Sequence, residues 1–149
     1  MKLADKNSIM EHAKVWHDKP MHMSAASQIL AHLVEQPLYN LQHISFSSIR
    51  RITSSELDDY DLMSIAMSIA LFSGLLDIKH ELIFDDDQID IDVGDIKLAE
   101  TSGYLVHPFT GREINDYKSH IFIYFECSRM LHDMKTSGPH ESGGVEALI

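Results

Sequence analysis

The feature that most constrains this chain is a change of hydrophobic period at Gly74. Before it, Leu62, Ile65, Ala66, Ile69 and Phe72 recur at helical spacing, and Met63, Met67 and Ala70 widen the apolar sector until only Ser64 and Ser68 are polar. After it, Leu76, Ile78, His80, Leu82 and Phe84 alternate with Asp77, Lys79, Glu81 and Ile83, the two-residue period of a strand. A mostly buried helix from Asp59 to Ser73 followed at once by a strand is therefore predicted. Asp58, Asp59 and Asp61 complement the positive end of that helix dipole, and Gly74 suits the left-handed residue that ends it.

Upstream, Ser8 with Glu11 has capping-box spacing and opens a stripe of Ile9, Ala13 and Trp16 that ends before Pro20. Ala26, Ile29, Leu30, Leu33 and Val34 predict a second helix from Ser24, closed by Pro37. Ser45 or Ser47 caps a short helix through Phe46, Ile49 and Ile52 that carries Arg50 and Arg51. Downstream, the polar run Asp85 to Gln88 separates the first strand from Ile89, Ile91 and Val93, which alternate with Asp90 and Asp92 as in a hairpin with one wet face. Asp95 caps a short helix that Gly103 ends. An extended stretch from Tyr104 to His107 and the aromatic run Ile121 to Phe125 supply further strands. From Thr136 the composition becomes that of a flexible tail.

Three to four helices followed by a β-hairpin wing is an order similar to that of a winged helix. The expected fold is thus α+β and winged-helix-like, with an additional C-terminal strand pair, in a single domain over residues 1–135 and a tail over 136–149. The longest apolar runs are only a few residues, so no membrane span is expected, and the charged N-terminus lacks the apolar stretch of a secretory signal. A cytoplasmic setting follows. Cys127, as the lone cysteine, forms no internal disulfide and reads as a buried filler.

Charge narrows the class of partner. Twelve of the 23 acidic residues lie between Glu56 and Asp95, opposed by Lys79 alone, in a chain of net charge −11. The helix from Asp59 to Ser73 would occupy the recognition position of a winged helix, yet it has no Arg, Lys, Asn or Gln for base edges. Its acidic end repels phosphate. Asp58, Asp59 and Asp61, with Asp85, Asp86, Asp87, Asp90 and Asp92 of the hairpin, instead suit a basic protein partner. Should Met63 and Met67 face solvent, they would add an apolar docking or dimerisation strip rimmed by acid.

The expected function is that of a small acidic protein-binding regulator or adaptor. One alternative is an immunity-type antagonist of a basic, nuclease-like effector. Another is a homodimeric transcriptional regulator contacting DNA through Arg50 and Arg51. No cofactor or metal is expected: the run DDDQIDIDVGD places Ile91 where a calcium loop needs glycine, and His12, His17 and His22, five apart, share no helix face. No catalytic motif is found. His107, Glu113, Asp116, His120 and Cys127 are the nearest to catalytic candidates, and they form no recognisable nucleophile signature.

Overall fold

The computed structural model describes residues 1–137 and has the mixed α+β composition that the sequence predicts. The chain divides into two compact units, Met1–Ile78 with the chain from Phe125 onward, and Lys79–Tyr124.

In the first unit, α1 (Leu3–Glu11) continues into a 3-10 segment, His12–Trp16, and buries Ile9 and Ala13. It begins before Ser8. Helix α2 (Pro20–Glu35) starts a turn before the expected Ser24, because Pro20 opens it at the first position instead of ending the preceding segment. Proline lacks the N–H that would go unbonded there. Ala25, Ala26, Ile29, Leu30 and Leu33 face inward. At the other end the Lys135 ammonium donates to the carbonyls of Leu33 (2.8 Å) and Val34 (2.9 Å), supplementing the sparse hydrogen bonding of a helix terminus. Burial lowers the pKa of that lysine, with Cys127 opposing the shift.

Strand β1 (Ile44–Ser45) leads into α3 (Phe46–Thr53), capped by the Ser45 hydroxyl, which accepts from the Ser48 N–H. Helix α4 (Asp59–Ser73) has the predicted limits. The Asp58 carboxylate accepts from Asp61 N–H at 2.8 Å, and Gly74 is left-handed at φ 71°. Leu62, Ile65, Ala66, Ile69 and Ala70 are buried, and the helix packs on α2 and α3. Only this inner face is fully buried, with Met63 and Met67 half-buried, so the expectation of a mostly buried helix needs correction. Phe72, predicted to face inward, is 83% exposed, as is Tyr60 at 82%. Two strands, β2 (Leu76–Phe84) and β6 (Ile121–Cys127), run through both units, and in the first the strand order is β1-β6-β2. Cys127 N–H donates to Leu41 O, and Ser128 N–H to Leu75 O.

Beyond β6 lies α6 (Arg129–Thr136), a helix absent from the sequence reading. Ser128 caps it through the Leu131 N–H at 3.2 Å, and Leu131 is its one buried residue. The tail was expected from Thr136, which here closes the helix. Residues 138–149 of that expected tail lie outside the described residues.

The second unit holds the strand order β6-β2-β3, with β3 (Asp87–Ile91) antiparallel to β2 in a register that sets Glu81 against Asp90 and Phe84 against Asp87. Asp85 and Asp86 form the connection, both left-handed, at φ 49° and 68°. Two successive positive φ angles match a type I′ turn, whose twist suits a tight hairpin. The second arm is shorter than expected because the chain turns into α5 (Val93–Ser102) at Asp92, with Asp95 in the first turn and not at the cap. A separate pair follows, β4 (Leu105–Val106) with β5 (Glu113–Ile114). Leu82, Ile91, Ala99, Leu105, Ile114 and Tyr117 make the unit's own core. Among the described residues no helix is long and apolar enough to cross a membrane.

An L-residue in the left-handed region is strained relative to glycine, and Asp86 supplies no helix cap in return. Asp86→Gly is expected to raise the unfolding free energy by about 0.5–1 kcal/mol in urea titration. A loss of that size would show that the Asp86 carboxylate stabilises the hairpin.

Candidate protein-docking surface

The period of α4 gives it two faces. Leu62, Ile65 and Ile69 point to α2 and α3, whereas Tyr60, Met63, Ser64, Met67 and Leu71 fall on the opposite stripe. Tyr60 and Leu71 are exposed, the latter at 65%. Phe46, the first residue of α3, joins Asp59, Tyr60, Met63, Ser64 and Met67 around a groove of about 560 Å³. On the other flank of α4, Phe72 borders a smaller cleft of about 110 Å³ with His12, Val15 and Trp16.

Charge is confined to one end of this surface. Glu56, Asp58, Asp59 and Asp61 cluster around the start of α4, and no charged side chain occurs from Leu62 to Gly74. Asp61 approaches His22 Nε2 only to 4.0 Å. Asp59 accepts from Arg50, whose guanidinium also donates to Ser55 O (3.1 Å) and Leu57 O (2.7 Å) and lies 5.8 Å from the Phe46 ring centroid. Arg50 therefore ties the 54–58 loop, with its left-handed Ser54, to the foot of α4. Arg51 makes a long 3.4 Å contact to Ser48 Oγ. The adjacent arginines do not form a single outward pair.

The acidic residues expected to contact a partner are divided between the units. Asp59 lines the groove, Asp58 caps the same end of α4, and Asp61 approaches His22. In the second unit Asp85 accepts from Arg112 (3.1 Å), Asp87 bonds His107 (3.1 Å) and Asp90 accepts from the Tyr124 hydroxyl (2.8 Å). Glu81, buried opposite Asp90, accepts from the Gln88 amide at 2.7 Å. Asp92 caps α5 with its carbonyl, which accepts from Asp95 and Ile96. Asp86 occupies the turn. Much of the hairpin's acid thus has a role inside its own unit.

His107 illustrates how that unit is held. It is 2% exposed, and its Nδ1 lies 3.2 Å from the N–H groups of both Phe109 and Thr110. Two donors aimed at Nδ1 make it the acceptor, so Nε2 carries the proton that Asp87 receives. Phe84 sits 4.9 Å from His120 in a T-shaped pair, and Arg112 lies 5.1 Å from its ring centroid. His120 in turn bonds Asp116 at 3.1 Å, and Glu113 is exposed on β5.

These contacts bear on the residues considered for catalysis. His107 is enclosed by the turn it organises, and Asp116 with His120 forms a partly exposed pair. Cys127 belongs to the first unit, half-buried where full burial was expected, and donates to Ser128 O at 3.4 Å. Burial raises the thiol's pKa, while Lys135 pulls it down less. Among the described residues no three His, Cys, Asp or Glu side chains are grouped to hold a metal ion. The groove itself was only partly legible in the sequence. Met63 and Met67 marked a conditional strip, but Phe46 comes from another helix and Tyr60 interrupts an acidic run.

Arg50→Ala is expected to lower stability by about 1–3 kcal/mol, since it leaves partly buried carbonyls without their donor. Arg51→Ala is expected to stay within about 0.5 kcal/mol in the same denaturant titration. Equal effects would contradict the division of roles. His107→Phe should cost about 2–4 kcal/mol by orphaning two N–H donors and Asp87, and limited proteolysis should locate new cleavage in the 107–112 turn. An unchanged digest would contradict the locking role. Comparison with known proteins finds no matching family model, no matching curated protein and no matching solved structure.

Proposed function

We propose that this chain is a protein-binding regulator or adaptor that docks its partner on the outer stripe of α4. The observation that carries this reading is the chemistry of that stripe. Tyr60, Met63, Met67 and Leu71 are followed along α4 by no cation, and Phe46 extends the apolar surface to a second helix. Methionine thioethers suit a surface that must adapt to what binds it. Tyr60 and Leu71 are exposed and Phe46, Met63 and Met67 half-buried, and a contiguous apolar patch of this kind marks an interaction site.

The scaffold we propose is winged-helix-like. Support comes from the order α2, β1, α3, α4, β2, β6 and from β6 lying between β1 and β2 in the first unit. On this reading β2 and β6 are the wing strands, and residues 85–120 are an enlargement inserted between them. Strand β3, taken from the sequence as the second arm of the wing, belongs to that insertion. Helix α4 then takes the recognition position but lacks the side chains that read base edges. Arg50, one half of the DNA-contact alternative, is occupied by carbonyls and by Asp59. The acid at the head of α4 favours a basic protein, which also accommodates the role of antagonist to a basic effector.

The test is capture from a native extract by the tagged full chain, with nuclease treatment in parallel, comparing the wild type with a Met63→Glu/Met67→Glu variant matched to it in circular dichroism and melting temperature. A protein retained by the wild type despite nuclease, and reduced at least about tenfold by the double change, is expected. Retention of nucleic acid in place of protein, or retention indifferent to the two glutamates, would overturn the reading.

A further inference from the structure

We infer that the α4 groove accepts an amphipathic helical segment of another protein, with apolar side chains about one turn apart and Lys or Arg at the end that meets Asp58 and Asp59. This rests on the protein-docking reading above and names the partner's chemistry. The groove is lined by one residue of α3 and five of α4, so its walls come from two helices and its long axis follows α4. From Tyr60 to Met67 the helix rises about 10 Å, and to Leu71 about 16 Å, or two to three turns. A partner helix lying along it presents residues i, i+3 or i+4 and i+7 over that length, the spacing by which apolar grooves hold amphipathic helices.

Charge complementarity selects the ends of the segment. Asp59 lines the groove and Asp58 caps the same end of α4, two negative charges of which the Arg50 guanidinium offsets one, while Glu56 lines a separate pocket with residues of α2 and Asp61 approaches His22. The helix dipole offsets about another half. The remaining excess lies at the Tyr60 end of the groove, while the Leu71 end is uncharged. A segment with basic residues at one end and an apolar stripe beyond them satisfies both parts at once. Nucleic acid meets no cation along α4, and a small ligand would be left open on the side away from the two helices. A second copy of the chain would bring the same carboxylates and no cluster of cations on its own α4.

The test uses two labelled designed peptides of about 14 residues, each about four helical turns, with identical leucine stripes. One carries three lysines at one end and the other three glutamates there. Fluorescence anisotropy with the full chain is expected to give affinity for the lysine peptide at least about tenfold higher. Asp58→Ser with Asp59→Asn keeps a capping oxygen and an acceptor for Arg50, and should cut that preference to about threefold or less. Met63→Glu/Met67→Glu should abolish binding of both. Equal affinity for the two peptides would overturn the charge-selected segment while leaving the docking surface in place. Undiminished binding to the Met63/Met67 variant would overturn the groove itself. Failure of both peptides, whether the chain sediments as a dimer through this face or as a monomer, would overturn the inference and leave the docking reading to the capture experiment.

Discussion

Burial of the inner face of α4 against α2 and α3 is the contact on which the first unit depends. Leu62, Ile65, Ala66 and Ile69 give that helix one apolar face that water cannot share, and truncating any one of the larger three would cost about 2–5 kcal/mol. Once this face is committed, helical geometry decides what is left outside. Tyr60, Met63, Met67 and Leu71 are placed on the far side by the same period that places Leu62 and Ile65 within. The outer stripe is a consequence of the core, and its apolar character is not required by the core. That is why it invites a functional explanation.

The second unit uses its charges differently. A hairpin with Asp85, Asp86, Asp87, Asp90 and Asp92 would repel itself if its carboxylates were left to solvent screening alone. Arg112, His107 and Tyr124 each engage one of them, and the Asp92 backbone caps α5. His107 contributes most to local order because one buried ring satisfies two turn N–H groups and a carboxylate together. The charge map of a sequence therefore overstates the acid available to a partner, since it counts carboxylates that the fold engages.

How far the fold could be read from residues depended on whether a local signal matched a local cause. Asp58 and Gly74 act within a turn of themselves, and the limits of α4 came out as expected. The alternation from Leu76 likewise predicted β2. Pro20 was misplaced because proline ends one helix and begins another by the same chemistry, and only the neighbouring chain distinguishes them. Phe72 shares an angular position with the buried stripe, yet periodicity gives direction around an axis and not how far the covering elements extend. Helix α6 escaped notice because it buries only Leu131 and so leaves almost no stripe. The groove needed Phe46 and Tyr60 brought together, a juxtaposition that no spacing along the chain encodes.

The central claim is that the outer stripe of α4 is where a partner sits. Methionine methyl groups report it directly, since Met63 and Met67 line the groove and the chain's other methionines do not. With ¹³C-methyl methionine in the full chain, addition of the captured partner should shift or broaden the Met63 and Met67 resonances, assigned by single Met→Leu changes, more than those of Met10, Met23 or Met134. Bound partner that leaves both resonances unmoved while others shift would contradict the account.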